Sequence, residues 1–273
     1  VMGSDVPHVA AKIAKALDIA YFLDEHSAEI ATNKIEMKKF LIEQKIITPT
    51  FKVFDSEDKF FQSLRLQDSH IVIKPESNSG SRGVWSLSRE LKTETIKACI
   101  SDAFIHSQNN KVLMEKRVFG DQLSVEAIFD QEEISIGGFA LRNYEMNECF
   151  FPKIIENGGI QPYSPHFDRL EEVKNIVRKI KNGLKLKYGT IKLDLVICAD
   201  SNEIQVIEFA LRLSGGNFSS HIIGMSIGVN FLRNAIKCLS RMTTEPLDVK
   251  NFKKIYANRY FFRVGAIEEI KLP

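Results

Sequence analysis

The sequence predicts an α+β (mixed α/β) protein. Runs of β-branched and aromatic residues lie one short turn apart, which makes antiparallel hairpins, and amphipathic helical stretches are interleaved with them. A chain of 273 residues with 44% hydrophobic content can also bury a large core and form more than one lobe. Residues 6–18 and 33–45 carry helical periodicity. Asn33-Lys-Ile-Glu36 reads as a capping-box start, and Thr48-Pro49 stops the second helix. A short helix is expected over 58–66, then a compact strand over 70–74 closed by Pro75. The polar glycine loop 77–83 leads into a strand at 84–87 and a helix over about 93–107. Strands are expected at 111–118, 123–129 and 133–144, followed by a Gly/Pro-rich stretch over 150–166. Asp168 caps a basic amphipathic helix reaching about 187, whose lysines and arginines form a solvated face. Residues 222–239 read as mostly helix, and 259–264 as a late strand.

The stretch with the most chemical content is a hairpin. Thr190-Ile-Lys-Leu-Asp-Leu-Val-Ile-Cys-Ala199 carries Asp194, and Val206-Ile-Glu-Phe-Ala-Leu-Arg-Leu-Ser-Gly-Gly-Asn217 carries Glu208 and Arg212. Asp200-Ser-Asn202 is a natural turn between them. If Ala199 faces Glu203 across that turn, Asp194 faces Glu208, and Lys192, Asp194, Glu208 and Arg212 share one face. Opposed side chains sit about 5 Å apart at Cβ, where two carboxylates repel. A divalent cation removes the repulsion, and carboxylates plus substrate phosphates are the usual Mg²⁺ donors. The plainer alternative is a solvated charged face.

Other features exclude function classes. The 37 basic and 35 acidic residues leave a net charge of +2, so no bulk electrostatic case exists for nucleic acid or an anionic membrane. No uninterrupted apolar run approaches the ~20 residues of a membrane span. Cys99, Cys149, Cys198 and Cys238 are scattered singly and read as reduced, mostly buried thiols of a cytoplasmic protein. Val1-Met-Gly-Ser-Asp5 runs straight into a helical pattern, which reads as a fragment of a longer chain.

Two further elements suit phosphate. Ser77-Asn-Ser-Gly-Ser-Arg-Gly83 exposes backbone N–H groups able to cradle an anion, although it is neither a Walker loop nor a dinucleotide fingerprint. A structural turn between strands is the alternative. Lys74, flanked by Ile73 and Pro75, needs an anionic partner if buried; a phosphate would serve, and a snorkelling strand-end lysine is the alternative.

Taken in order, these motifs resemble the ATP-grasp superfamily, in its carbamoyl-phosphate-synthetase and biotin-carboxylase-like branch of carboxylate–amine ligases. The resemblance covers nearly the whole chain. It implies an ATP-grasp fold of two lobes with a remnant of a preceding α/β N-terminal domain: 1–49 the remnant, 50–115 the small lid lobe, and 116–273 the large lobe. It also implies ATP and Mg²⁺, a small-molecule carboxylate and an amine as substrates, no nucleic acid or membrane partner, and leaves room for a homodimer. Lys34 and Lys74 match the basic positions near the phosphates, and Ser79, Gly80, Ser81 and Gly83 the mobile loop over them. Val112-Leu-Met-Glu-Lys-Arg-Val118 matches the linker, with adenine bonded to Glu115 and to backbone around Lys116, Arg117 and Val118. Gln122 matches the ribose position, commonly acidic, while Asp121 beside it points to the other face of a regular strand. Asp194 and Glu208 match the metal ligands, and Arg212 the catalytic cation facing the γ-phosphate.

One departure matters. The family commonly reads Glu-x-Asn-x-Arg where this chain has Glu208-Phe-Ala210-Leu-Arg212. Ala210 cannot bind metal; Asn217, or less plausibly Asn230, would have to supply the missing oxygen. Residues 156–166 and 214–221 flank the acceptor end by family position. There His221 reads as a packed or capping residue and His166 as an exposed loop residue. Trp85 and the run 260–262 read as core or lobe contacts. A bicarbonate-activating carboxylase and a nucleotide-binding protein without turnover are the competing readings.

Overall fold

The computed structural model describes residues 3, 5–64, 70–78 and 80–260. Ser79, Phe261, Phe262 and the expected strand residues beyond 260 lie outside the described residues, as do 65–66 of the short helix.

Three helices open the chain: α1 (Pro7–Ala16), α2 (Glu25–Ile30) and α3 (Lys34–Glu43). The side chain of Asn33 caps α3 by accepting from the Ile35 and Glu36 amides. Glu36 does not reciprocate; its carboxylate pairs with Lys39 at 2.8 Å. Helix α2 was missed because it has only six residues, too few to show a period.

The next segment builds a four-stranded antiparallel sheet in the order β1-β4-β2-β3, from β1 (Phe51–Phe54), β2 (Ile71–Pro75), β3 (Trp85–Leu87) and β4 (Val112–Lys116). Helices α4 (Glu57–Ser63) and α5 (Thr93–Ile105) cover it through Phe60, Ile96, Ile100 and Phe104. A six-stranded antiparallel sheet follows, in the order β10-β7-β6-β5-β8-β9. Its strands are β5 (Gly120–Phe129), β6 (Ile134–Asn143), β7 (Gly158–Gln161), β8 (Gly189–Cys198), β9 (Ile204–Ala210) and β10 (Tyr256–Arg259). A short helix α6 (Asn147–Phe150) precedes β7. Strand β7 lies inside the expected Gly/Pro loop; at four residues it is barely longer than a turn.

Helix α7 (Leu170–Gly183) buries Leu170, Val173, Ile176, Val177 and Ile180 against this sheet. Each such side chain contributes about 1.5–3 kcal/mol when fully removed from water. Two expectations fail here. Asp168 does not cap α7; the chain enters through a 3₁₀ turn, Ser164–Arg169, and no side chain caps the helix. Lys181 is also not on a solvated face, since its ammonium donates to the Asp130 and Gln131 carbonyls. The expected helix at 222–239 is broken into a π-helical turn (Phe218–Ile222), α8 (Ile223–Ile227) and α9 (Phe231–Leu239), with Gly228 at φ 77° in the break. Among the described residues no single helix is long and apolar enough to cross a membrane. Cys99, Cys198 and Cys238 are buried free thiols and Cys149 is exposed.

Candidate nucleotide and metal site

The six-stranded sheet has one apolar and one polar face because side chains alternate along each strand. Leu123, Val125, Leu193, Leu195 and Phe209 enter the large core. The opposite face of β5, β8 and β9 carries Ser124, Glu126, Lys192, Asp194 and Glu208. It floors a cleft of about 1380 Å³ whose far wall is the small sheet and the glycine loop.

Asp194 and Glu208 are direct cross-strand partners, so they project from the same side of the hairpin. The route to that pairing differs from the expected one. At the turn it is Cys198, not Ala199, that faces Glu203, its amide donating to the Glu203 carbonyl at 2.9 Å. That register would set Asp194 opposite Ile207. A bulge between Asp194 and Leu195 on one strand and across Ile207 on the other restores the pairing, because Leu195 faces Val206 while Asp194 faces Glu208.

Asp194 is buried and fully engaged. Its Oδ1 accepts from Arg142 at 2.9 Å and from the Ser124 hydroxyl at 3.1 Å, and its Oδ2 accepts from Lys192 at 2.8 Å. Burial raises its carboxyl, but the Arg142 and Lys192 charges outweigh that and hold it well below the usual carboxylate range. Arg142 also pairs with Glu156, and its ring-plane neighbour is Tyr144, 5.9 Å away. Burial pushes the Tyr144 hydroxyl up, so it stays a neutral donor. The Glu208 carboxylate makes no hydrogen bond or ion pair with a described residue, and Glu208 lines the cleft. Among the described residues no three His, Cys, Asp or Glu converge, so a metal here would rest on these two carboxylates and substrate oxygens.

The opposite end of the cleft is a buried lysine–glutamate cluster. The Glu115 Oε2 accepts from Lys74 at 3.0 Å and lies 3.5 Å from Lys38, while its Oε1 is buried without a hydrogen-bond partner. Burial raises this carboxyl, and the two ammonium groups more than offset it, leaving it below the usual range. The anionic partner of Lys74 is therefore Glu115. Lys38 is 1% exposed. It donates to the Thr48 hydroxyl at 2.7 Å, and Thr48 in turn donates to the Val206 carbonyl of β9 at 2.8 Å. Burial pushes Lys38 down to about 8, with the Glu115 carboxylate opposing the fall. The missed signal was its helical phase: Lys38 follows Lys34 by one turn, beside the buried Met37 and Leu41.

The remaining expected residues divide. Lys34 lines the cleft and holds the base of the glycine loop, donating to the Asn78 carbonyl at 2.7 Å. Burial lowers its ammonium, and the Glu208 carboxylate opposes this. Gly80 and Ser81 line the cleft with φ of 67° and 55°. Gly83 does not line it; a Cβ there would lie 2.9 Å from His106 and 3.1 Å from Pro75, so this glycine serves close packing on α5 at φ 69°. Lys116, Arg117 and Val118 border the cleft, but the Lys116 and Arg117 amides are taken by the Thr50 and His70 carbonyls. The Arg117 guanidinium turns to the Ser86 hydroxyl at 2.6 Å. Gln122 lines the cleft, while Asp121 is held by Tyr163 at 3.1 Å and His166 at 2.8 Å. His166 is thus half-buried rather than a free loop residue. His221 is exposed, against the Ser220 hydroxyl at 2.8 Å. Trp85 donates to Asp102 at 2.8 Å, under Lys153.

Arg212 borders the cleft, but its Nη2 is paired with Asp5 at 2.8 Å and its Nη1 donates to the Leu213 carbonyl. Asn230 caps α9 by accepting from the Arg233 amide, so it is not a spare oxygen donor; Asn217 is exposed at φ 62° beside the π turn. Arg142 went unremarked because it closes an otherwise apolar strand. The alternation from Ala140, the partner of Ser124, would have put it on the polar face.

Comparison with known proteins gives the same frame. The chain is 30% identical over 134 residues to a phosphoribosylamine–glycine ligase of Leptospira interrogans, an overlap of 48% of this chain and 32% of that protein. The chain therefore spans about a third of the length of the curated relatives it matches. It superposes on an L-amino acid ligase from Bacillus licheniformis with a TM-score of 0.68 at 19% identity, covering 90% of this chain and 55% of that one. The ADP complex of an N5-carboxyaminoimidazole ribonucleotide synthetase gives 0.71 at 14%, covering 88% and 59%. The D-alanine–D-alanine ligase of Helicobacter pylori gives 0.66 at 16%, covering 89% and 68%. These likenesses carry the fold. The model of the phosphoribosylglycinamide synthetase ATP-grasp (A) domain matches residues 32–216, and the chain belongs to that ATP-grasp family.

Proposed function

We propose that this chain is the ATP-grasp portion of an ATP- and Mg²⁺-dependent ligase that activates a carboxylate as an acyl phosphate for attack by an amine. The observation that carries it is the Asp194–Glu208 pair on the floor of a large cleft, facing a buried Lys74–Glu115 cluster with an unpartnered carboxylate oxygen. Relatives named phosphoribosylamine–glycine ligase, L-amino acid ligase and D-alanine–D-alanine ligase support a carbon–nitrogen bond-forming reaction. In this reading residues 1–49 belong to a preceding domain, 50–115 form the lid lobe and 116–273 the large lobe of a cytoplasmic enzyme with small-molecule substrates.

The purine sits at β4. The free Glu115 Oε1 suits an exocyclic amine, and the commitment of the Lys116 and Arg117 amides leaves their carbonyls and the Val118 amide to meet the base edge. Gln122 meets the ribose. Lys34 and Lys74 offset phosphate charge, and Gly80 and Ser81 cover the phosphates and exclude water. Asp194 and Glu208 would hold Mg²⁺, which supplies neutralisation of the β- and γ-phosphate charge. The substrate carboxylate oxygen attacks the γ-phosphorus; the bond to the β-bridging oxygen breaks and its electron pair leaves on ADP. An amine then attacks the acyl carbon, phosphate departs with the C–O pair, and the ammonium proton passes to phosphate or solvent. Arg212, released from Asp5, is the cation placed to steady the transferring group.

Glu208→Gln should abolish carboxylate-dependent phosphate release, by at least about 100-fold. Intact turnover in that variant would refute the assignment. Ala210 and the protein-bound state of Asp194 favour one competing reading, nucleotide binding without turnover. Calorimetric ATP binding with no phosphate release on any carboxylate would select it.

A further inference from the structure

Lys38 is a fully buried cation that the chemistry above does not use. It sits on α3, and its neighbours on that helix pack on β9: the Phe209 amide donates to the Met37 sulfur at 3.3 Å, and the Phe40 and Phe209 rings lie 6.0 Å apart. Its ammonium donates to the Thr48 hydroxyl, which donates in turn to the Val206 carbonyl, close ahead of Glu208. The cation is thereby anchored to the large sheet. Its charge nevertheless lies 3.5 Å from Glu115, which belongs to β4 of the small sheet. Glu115 and Lys74 border the cleft, and Lys38 does not. Whatever Lys38 does for a ligand, it does through Glu115.

Both ammonium groups lie on the Glu115 Oε2, and the buried Oε1 has no hydrogen-bond partner. A carboxylate can only accept, whereas a protonated carboxyl also donates. An ionised Glu115 therefore accepts from a 6-amino purine and repels the carbonyl of a 6-oxo purine. Burial raises this carboxyl, and the two cations outweigh it. One of those cations has a second duty, because Lys74 borders the cleft and is shared with phosphate once a nucleotide binds. Lys38 is out of the ligand's reach and stays on Oε2. Without it burial prevails: the carboxyl takes a proton from solvent and becomes able to donate to an oxo group.

We propose that Lys38 is a positioning residue for base selection: seated by Thr48 against β9, it pins the Glu115 Oε2 so that Oε1 meets the purine as a carboxylate, admitting a 6-amino base and excluding a 6-oxo base. This rests on the ligase reading above, and it adds the group that sets the nucleotide specificity. Lys38→Met supplies the test. Methionine fills similar space, and Glu115 keeps Lys74 at 3.0 Å, so the variant retains its packing. Thr48→Val is a second, independent variant, which removes the hydroxyl that seats the ammonium and leaves the charge in place.

The experiment is calorimetry on the full chain at pH 7 with Mg²⁺, titrating ADP and IDP into wild type and both variants. Wild type should prefer ADP by at least about 100-fold, as a site built to pair one polar group rejects its replacement. Lys38→Met should narrow that ratio by about tenfold, the difference between a hydrogen bond to a charged acceptor and one to a neutral acceptor. The N1–H of hypoxanthine, which opposes the Val118 amide, penalises IDP equally in every protein and cancels. Thr48→Val should narrow the ratio by about threefold. A merely structural role would weaken ADP and IDP alike and leave the ratio where it was. Urea unfolding checks that each variant is folded. An unchanged ratio in Lys38→Met, or in Thr48→Val should the methionine variant not fold, overturns the proposal and leaves the ligase reading standing; absence of ADP binding by wild type overturns both.

Discussion

Lys38→Met isolates the buried ammonium beneath the nucleotide cleft. In the folded protein Lys38 is held at about 8 against its ordinary 10.5, chiefly by burial. A lowered folded value means that the native state disfavours the charged form. The cost is fully present below pH 8 and is relieved as pH rises towards the unfolded value, because over that window the unfolded chain binds a proton that the folded chain does not. Each pH unit in the window is worth about 1.36 kcal/mol, so by pH 10 the native state gains roughly 2–3 kcal/mol from this group. Methionine fills similar space and does not titrate, and Glu115 keeps its Lys74 partner at 3.0 Å. Urea unfolding of both proteins at pH 7, 8, 9 and 10 gives the difference curve, in which titration of the other lysines and tyrosines cancels. Wild type minus variant should climb by about 2–3 kcal/mol between pH 8 and pH 10. A difference that stays level within about 0.5 kcal/mol, the noise of a surface substitution, would show that Lys38 is not charged and desolvated as described.

Asp194→Asn strips the carboxylate from Arg142 and Lys192 and should cost about 3–5 kcal/mol in urea unfolding, whereas Glu208→Gln should cost under about 1 kcal/mol; equal losses would contradict the pairing described. Ala210→Asn adds an oxygen beside the carboxylate pair and should lower the Mg²⁺ concentration for half-maximal nucleotide binding, and an unchanged Mg²⁺ titration would argue against a ligand deficit there. Gly83→Ala should destabilise by about 1–3 kcal/mol more than Gly80→Ala. Both have positive φ, but only at Gly83 does the added methyl meet neighbours; thermal unfolding that ranks them equally would refute the packing role.

Much of the fold was legible because its signals are local. Alternation in β5, β8 and β9 and the helical phase of α7 place their residues without knowledge of the rest. What escaped needed a partner elsewhere in the chain. Val206 and Ile207 are both apolar, so the bulge between the hairpin's tip and its carboxylates leaves no trace in the pattern. The assumed turn register was off by one residue, and the bulge compensated for it. Lys38, Lys181 and Arg142 look like surface charges in one dimension; only a carboxylate, two carbonyls or a neighbouring strand shows them to be interior. Gly83 was assigned to the phosphate loop with Gly80 because composition does not distinguish a glycine that frees a loop from one that lets a helix approach.

Strand β9 is the last strand of its sheet, and an exposed outer strand is a template for unwanted pairing. In this molecule the chain just ahead of β1 shields it: the Val206 amide donates to the Ile47 carbonyl at 2.8 Å, and the Thr48 hydroxyl caps the Val206 carbonyl. An expression boundary drawn after residue 48, however well it suits a domain diagram, would uncover the border that carries Glu208 and invite self-association there. The segment before residue 50 is thus part of the outer wall of the six-stranded sheet, and any engineered version of this chain has to begin upstream of it.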